Sequence, residues 1–240
     1  MNMKRIIITS GGTSEKIDNV RKITNSSSGK LGMTIANYLL KTNDDITIYY
    51  VCSKTSLRPL NERVDIIEVT DVDSLKDVIT NLLIQNKIDY FVHAMAVSDY
   101  KVDYITNLNS IKESINKYKN IDEGISNVEK INDSKISSYE DNLVIILKRT
   151  PKIISMIKEI SPSTHLIGFK LLDSVSKSEL LEVAKKLREK NRCDYVVAND
   201  LETIRNGCHK AYIVGSNSII DATGKEDIAK KLVRVINCGK

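Results

Sequence analysis

The chain has no C-x-x-C pair. Its four cysteines stand at 52, 193, 208 and 238 and its three histidines at 93, 165 and 209. Neither set has metal-ligand spacing, which argues against a structural zinc site, and unpaired thiols suit a reducing compartment. Long apolar runs are missing too: none approaches the ~20 residues of a membrane-spanning helix. The opening Met1-Asn2-Met3-Lys4-Arg5 passes into a strand too soon to be a signal peptide, so the expected location is cytoplasmic. Aromatic residues make up 5% of the chain, and no RNA-binding aromatic motif or basic tail is present. The net charge of +5 is spread along the chain; it suits anionic substrates, without pointing to nucleic acid or a membrane surface. Two common phosphate signatures, G-x-G-x-x-G and G-x-x-x-x-G-K-[ST], do not occur. Internal repeats are absent as well.

The most informative stretch lies near the start. Ile6-Ile7-Ile8 runs into Thr9-Ser10-Gly11-Gly12-Thr13, as a buried parallel strand ends in a ligand loop. A second small-residue cluster, Ser26-Ser27-Ser28-Gly29, opens a helix with apolar positions at Leu31, Met33, Ile35, Ala36, Leu39 and Leu40. Two such loops at the carboxyl end of one strand suit an anion, because glycine lets backbone N–H groups approach it and a helix N-terminus adds positive potential. A glycine turn followed by a Ser-capped helix start reads the same residues equally well.

The remaining pattern gives strands over residues 46–52, 88–96, 142–147, 164–170 and 194–198, and helices over 72–85, 177–191 and 225–236. A further helix starts near Pro151, with the proline in its first turn, and a late hairpin spans 210–215 and 218–221. Strand–helix alternation at these lengths predicts an α/β, Rossmann-like, doubly wound, mostly parallel sheet with its ligand at the strand carboxyl ends. The 240 residues suffice for one large domain. Residues 101–134 are rich in Asn, Lys, Ser and Ile, with little to bury, and read as a solvated loop with a weak helix. A single domain over 1–240 is therefore expected, with a flap or dimerisation insertion at about 101–140. His93 and His165 sit in apolar runs and read as core or pocket-edge residues.

The strand ends Gly11/Gly12, Ala96/Asp99, Phe169/Lys170 and Asn199/Asp200 carry polar or small residues. With Glu15, Asp18, Val20-Arg21 through Gly32, Ala96-Val97-Ser98-Asp99-Tyr100, Lys135-Ile136, Thr150-Pro151-Lys152-Ile153 and Lys190-Asn191 they form an ordered set. That set closely resembles the phosphopantothenate–cysteine ligase family over essentially the whole chain. The resemblance implies a two-step ligation in coenzyme A synthesis. The carboxylate of 4′-phosphopantothenate displaces pyrophosphate from a nucleoside triphosphate, and the L-cysteine amine then attacks the resulting acyl-nucleotide. It implies CTP as co-substrate with ATP possible, Mg2+ with the triphosphate, and a homodimer with shared active sites. The chain starts directly at the ligase strand and so resembles the stand-alone bacterial form, for which no flavin is expected.

The resemblance also assigns residues. Gly11, Gly12, Ser27, Gly29 and Gly32 line the nucleotide, as do Pro151, Lys152, Ile153, Phe169 and Asn199. Asn25 holds the acyl intermediate, and Arg21 reaches phosphopantothenate. Ala96 leaves room beside the substrate, and Asp99 contacts nucleotide or substrate. Lys135 meets the triphosphate as the flap closes, although the lysine-rich run of many relatives is reduced here to Lys135-Ile136-Ser137-Ser138. Lys186 and Lys190 match lysines of CTP recognition. On the residues alone, Asn25 is also a turn or cap, Ala96 and Phe169 are core, and the lysines are solvated surface. Two other functions fit less well. An NAD(P)-dependent reductase needs Tyr-x-x-x-Lys on a helix, but Tyr50 and Lys54 have that spacing at a strand end. A nucleotide-binding regulatory module without turnover would have lost Asn25, Lys135 or the Gly29 loop, and all three are present.

Overall fold

The computed structural model describes residues 3–238. The first third of the chain forms β1 (Lys4–Ser10), β2 (Ser14–Lys16), β3 (Lys22–Thr24), α1 (Lys30–Thr42), β4 (Ile46–Ser53), β5 (Val64–Val69) and α2 (Val72–Gln85). The middle forms β6 (Tyr90–His93), β7 (Tyr100–Asn107), α3 (Leu108–Tyr118), α4 (Ile121–Ser126), β8 (Leu143–Arg149) and α5 (Ile153–Ile160). The last part forms β9 (His165–Leu172), α6 (Lys177–Lys190), β10 (Tyr195–Asp200), α7 (Leu201–Arg205), β11 (Lys210–Val214), β12 (Ile219–Thr223) and α8 (Gly224–Cys238). These elements fall into two compact units, the smaller one made of Ser14–Asn25 and Ser98–Pro151. No helix among the described residues is long and apolar enough to cross a membrane.

The larger unit is built on an eight-stranded sheet of order β12-β11-β10-β9-β6-β1-β4-β5. Strands β5 through β10 in that order pair in parallel, while β11 and β12 are antiparallel additions at one edge. Strand β1 sits in the middle, and its last five residues are all buried. That is why it reads as a continuous β-branched run instead of an alternating one. Helices α1 and α8 cover one face through Ile35, Leu39, Ile228, Leu232 and Ile236. Helices α2, α5 and α6 cover the other through Leu75, Ile79, Ile157, Leu180 and Ala184. Chain order reverses between β1 and β6, which makes their carboxyl ends the switch point where open α/β sheets bind ligands. The chain leaves this unit after Thr13 and after Val97, the two loops that follow those strands.

The smaller unit holds two antiparallel pairs, β2 with β3 and β7 with β8, and the α3–α4 helix pair. Three expectations change here. Residues 101–134 are not a loop with a weak helix: Asn107 caps α3 by accepting from the Ser110 N–H at 2.8 Å, and Asn120 caps α4. Nor does the strand expected over 142–147 extend the main sheet. It is part of β8 and pairs with β7, with a bulge between Val102 and Tyr104. Pro151 also lies outside its helix, since α5 starts at Ile153 with Lys152 as N-cap. Strand β5 adds a parallel edge to the main sheet without a crossover helix.

Candidate functional site

At the switch point the pairing of β1 and β6 continues past both strand ends. Ala94 N–H donates to Thr9 O at 3.1 Å, Ala96 N–H to Gly11 O at 2.8 Å and Thr13 N–H to Ala96 O at 3.1 Å. Ala96 therefore stands directly beside Gly12. Three glycines are required by what surrounds them. Gly11 has φ of 82°, and a Cβ there would overlap Ser56 Oγ and lie 2.6 Å from Ser53 Oγ. Gly29 has φ of 73° and is the N-cap of α1. A Cβ on Gly32 would overlap Ser10 Oγ and lie 2.8 Å from Ser10 Cβ. Only glycine lets α1 begin this close to the end of β1.

Polar side chains lock the loop in place. Ser10 Oγ donates to Gly29 O at 3.0 Å, and Ser56 Oγ to Ser10 O at 3.4 Å. Leu57 N–H donates to Ser28 O at 2.9 Å, and its carbonyl accepts from the buried Tyr50 hydroxyl at 3.0 Å. Burial pushes the Tyr50 phenol well above its ordinary range, so it stays a donor. No serine is the N-cap residue of α1: that position is Gly29, in a left-handed conformation and without a side-chain cap bond. Ser28 Oγ accepts from the first helical N–H, that of Lys30, at 3.4 Å; a helix N-terminus built on a glycine cap in this way is an arrangement that suits phosphate. Ser27 lies on this loop and accepts from Gly29 N–H at 3.4 Å.

Farther along the same sheet, Phe169 on β9 is partly buried against the core that holds α1 and α8. Asn199 near the end of β10 is buried, with its Oδ1 3.0 Å from His209 Nε2. Burial lowers the His209 pKa, favouring the neutral ring. With hydrogen on Nε2, that ring occupies the asparagine carbonyl, while the amide N–H2 donates one hydrogen to Val197 O at 3.4 Å and has a second to offer. Lys152 lies at the start of α5, and Ile153 is buried in the core, so its side chain packs. Lys186 and Lys190 are not brought to the strand carboxyl ends. Helix α6 runs from the carboxyl end of β9 toward the amino end of β10, and Lys190 is its last residue. Lys186 is exposed and ion-paired to Glu182 one turn earlier.

The smaller unit carries Arg21, Asn25, Asp99, Lys135 and Pro151. Its organising group is Asp18, whose side chain is fully buried. Asp18 Oδ1 accepts the N–H groups of Val20 at 2.7 Å and Arg21 at 2.6 Å. Its Oδ2 accepts the Ile136 N–H at 3.2 Å and pairs with Arg21 Nη1 at 3.4 Å. Arg21 Nη2 also donates to Ile136 O at 3.3 Å, and Asn19 N–H to Ser134 O at 3.0 Å. The backbone bond to the Arg21 N–H leads the effects that hold the Asp18 carboxyl below its ordinary range. Lys135, between these anchored neighbours, is exposed. Asn25 is half-buried just beyond β3. Asp99 is exposed; its carbonyl accepts from Thr150 N–H at 3.1 Å, and Thr150 Oγ1 donates to Ser98 O at 2.6 Å. Among the described residues no group of three or more His, Cys, Asp or Glu could hold a metal ion.

His93 is buried at the end of β6 with Nδ1 2.8 Å from Thr9 Oγ1. Desolvation pushes its pKa down to about 4. The unfolded chain takes up this proton near the ordinary 6.5, so falling pH in that window favours unfolding, by roughly 3 kcal/mol at its end. Thermal melts at about pH 7.5 and about pH 5 should show a smaller drop for His93→Gln than for the wild type. The difference should be roughly 4–8 °C, at ~2–4 °C per kcal/mol. Equal drops would show that another group sets the acid sensitivity.

The chain matches the family model described as "DNA/pantothenate metabolism flavoprotein C-terminal domain" over residues 1–121 and 126–238. It is 34% identical over 232 residues to the coenzyme A biosynthesis bifunctional protein CoaBC of Thermococcus kodakarensis, a match covering 97% of this chain and 47% of that protein. The chain thus spans about half the length of the curated relatives it matches. The crystal structure of the DNA/pantothenate metabolism flavoprotein from Streptococcus pneumoniae superposes with a TM-score of 0.86 at 38% identity, over 99% of this chain and 100% of that one. The C-terminal domain of a CoaBC protein superposes with a TM-score of 0.70 at 25% identity, over 98% of this chain and 95% of that one.

Proposed function

The chain belongs to the DNA/pantothenate metabolism flavoprotein C-terminal domain family, and from that premise we propose that it is a phosphopantothenate–cysteine ligase of coenzyme A biosynthesis acting in the cytoplasm. The observation that carries the proposal is the glycine cradle at the β1/β6 switch point. Gly11 and Gly32 leave no room for a Cβ against Ser10, Ser53 and Ser56, Gly29 takes a left-handed φ of 73°, and that glycine is the N-cap of α1. Such a cradle suits the phosphates of a nucleoside triphosphate.

In the first step a carboxylate oxygen of 4′-phosphopantothenate attacks the α-phosphorus and pyrophosphate leaves. In the second, the L-cysteine amine attacks the acyl carbon, loses a proton and displaces the nucleoside monophosphate. Charge accumulates on phosphate oxygens in the first step and on the acyl oxygen in the second, so positioned donors and cations supply most of the stabilisation. The backbone at Gly11, Gly12, Gly29 and Gly32 and the Ser27 hydroxyl hold the phosphates. Phe169, Asn199, Lys152 and the backbone at Pro151 and Ile153 take the nucleoside side, and Ala96 keeps space beside Gly12. Asn25 hydrogen-bonds the acyl group without adding charge. Arg21 offers its remaining guanidinium donors to the phosphate of phosphopantothenate, and Lys135 its ammonium to the triphosphate. Asp99 contacts nucleotide or substrate. Mg2+ would come with the triphosphate and offset charge on its oxygens. The co-substrate is CTP, and the working form is a homodimer.

The test is pyrophosphate release by purified protein with 4′-phosphopantothenate, L-cysteine and Mg2+, run in parallel with CTP and ATP. Release that needs phosphopantothenate and occurs with CTP alone is the expected result. Release with both nucleotides keeps the ligase and removes the CTP assignment. Silence with both, from folded protein, overturns the ligase.

A further inference from the structure

The bonds of Asp18 divide cleanly between its two oxygens. Oδ1 serves the hairpin turn alone, through Val20 and Arg21 N–H. Oδ2 serves the Ile136 N–H and the Arg21 guanidinium, reaching 118 residues along the chain. The Arg21 guanidinium closes the link by donating to Ile136 O, and Asn19 N–H holds Ser134 O on the other side. Between the two gripped residues stands exposed Lys135. Residues 127–142 contain no helix or strand, so the grip on Ser134 and Ile136 fixes where the Lys135 backbone sits. Ile136 itself is 1% exposed, an apolar anchor under the same clamp.

We infer that Asp18 is a positioning residue, a carboxylate clamp that holds Arg21 and the Lys135 segment in one fixed relation so that both cations meet their phosphates already oriented. The inference rests on the ligase reading for the roles of the two cations, while the clamp itself rests on the bonds above. Its energetic logic is preorganisation. An exposed lysine on an untethered segment would have to be ordered at every turnover, whereas a tethered one costs no further ordering of its backbone. A carboxylate is needed because Oδ2 must accept from an N–H and a guanidinium together. An amide nitrogen in its place offers only donors.

Asp18→Asn separates the two functions, since the remaining Oδ1 can keep both turn bonds while the link to Ile136 and Arg21 is lost. It should lower kcat/KM for the triphosphate about 30-fold, with a melting temperature several degrees below wild type, because the amide N–H2 faces other donors in a buried site. Amide hydrogen exchange in a peptide covering 132–138 should speed up, while exchange in β1 stays unchanged. Introduced into Lys135→Ala, the same substitution should cost less than about 3-fold, because two residues acting through one contact are not additive. A purely structural defect would instead multiply with Lys135→Ala. Wild-type turnover in Asp18→Asn overturns the positioning role, and unchanged exchange overturns the clamp. If the wild type releases no pyrophosphate, the ligase reading fails and the catalytic part of the inference with it; the exchange comparison still decides the clamp.

Discussion

Lys135→Ala is expected to lower nucleotide-dependent pyrophosphate release by about 1,000-fold, at the lower end of what a single cation contributes to phosphoryl-type transfer. The side chain is exposed, so its removal should move the melting temperature hardly at all; surface substitutions of this kind stay within ~0.5 kcal/mol. The backbone grip on Ser134 and Ile136 does not involve the side chain, so the segment keeps its place. A large loss of rate at unchanged stability is therefore the signature of a cation that meets the triphosphate. Lys135→Arg tests the geometry, because a planar guanidinium fork restores charge without restoring the position of a compact ammonium. Retention of more than about a tenth of wild-type activity in Lys135→Ala would remove the lysine from the mechanism.

Gly32→Ala should behave differently, losing activity about 100-fold together with some stability. Alanine improves helix propensity by roughly 1 kcal/mol, yet its Cβ would stand 2.8 Å from Ser10 Cβ. The Ser10 hydroxyl could rotate away; the Cβ could not, because it is fixed to a strand whose last five residues are buried. The start of α1 must therefore move outward. That breaks the Ser10 bond to Gly29 O and shifts the N–H groups that the ligase reading assigns to a phosphate. Overpacking of this sort costs ~1–3 kcal/mol, so the net loss of stability should stay under ~2 kcal/mol, a few degrees in a melt. Isothermal titration with CTP and pyrophosphate release would both read the effect. Wild-type affinity in a folded Gly32→Ala protein would show that the phosphates bind elsewhere.

Where one physical rule dominated, the chain was readable. The β1, β4, β6 and β9 runs and the apolar faces of α1, α2 and α8 each follow a single periodicity, and together they yield the doubly wound sheet. Strand β5 escaped because Val64-Asp65-Ile66-Ile67-Glu68-Val69 mixes both periods at an edge and no helix precedes it. The three-residue strands β2 and β3 carry too few positions for any pattern. Residues 101–134 misled because α3 buries little: only Ser114 in it is fully covered. Its capping asparagines, which gave the stretch its loop-like composition, are what start its helices. The glycine loop is legible as either a phosphate cradle or a capped turn; what the sequence does not show is that Gly29 itself caps α1 and that Ser10 forces glycine at position 32. In the sequence Asp18 stands out only as one member of the family pattern. Nothing local marks a carboxylate whose decisive partner lies 118 residues away.

That separation also sets a clock on the birth of the protein. A ribosome adding ~5–20 residues per second reaches Ile136 roughly 6 to 24 s after it has made Asp18. Throughout that interval the β2–β3 hairpin has neither its partner segment nor the β7–β8 pair of its own unit, and an isolated hairpin is at best marginally stable in water. The Asp18 carboxylate therefore spends its first seconds hydrated and becomes buried only when the 134–136 segment arrives. The smaller unit cannot mature in the order in which it is written, and substitutions that weaken the clamp should show in newly made chains too, as lower yield at higher growth temperature, beside the loss of rate in the purified enzyme.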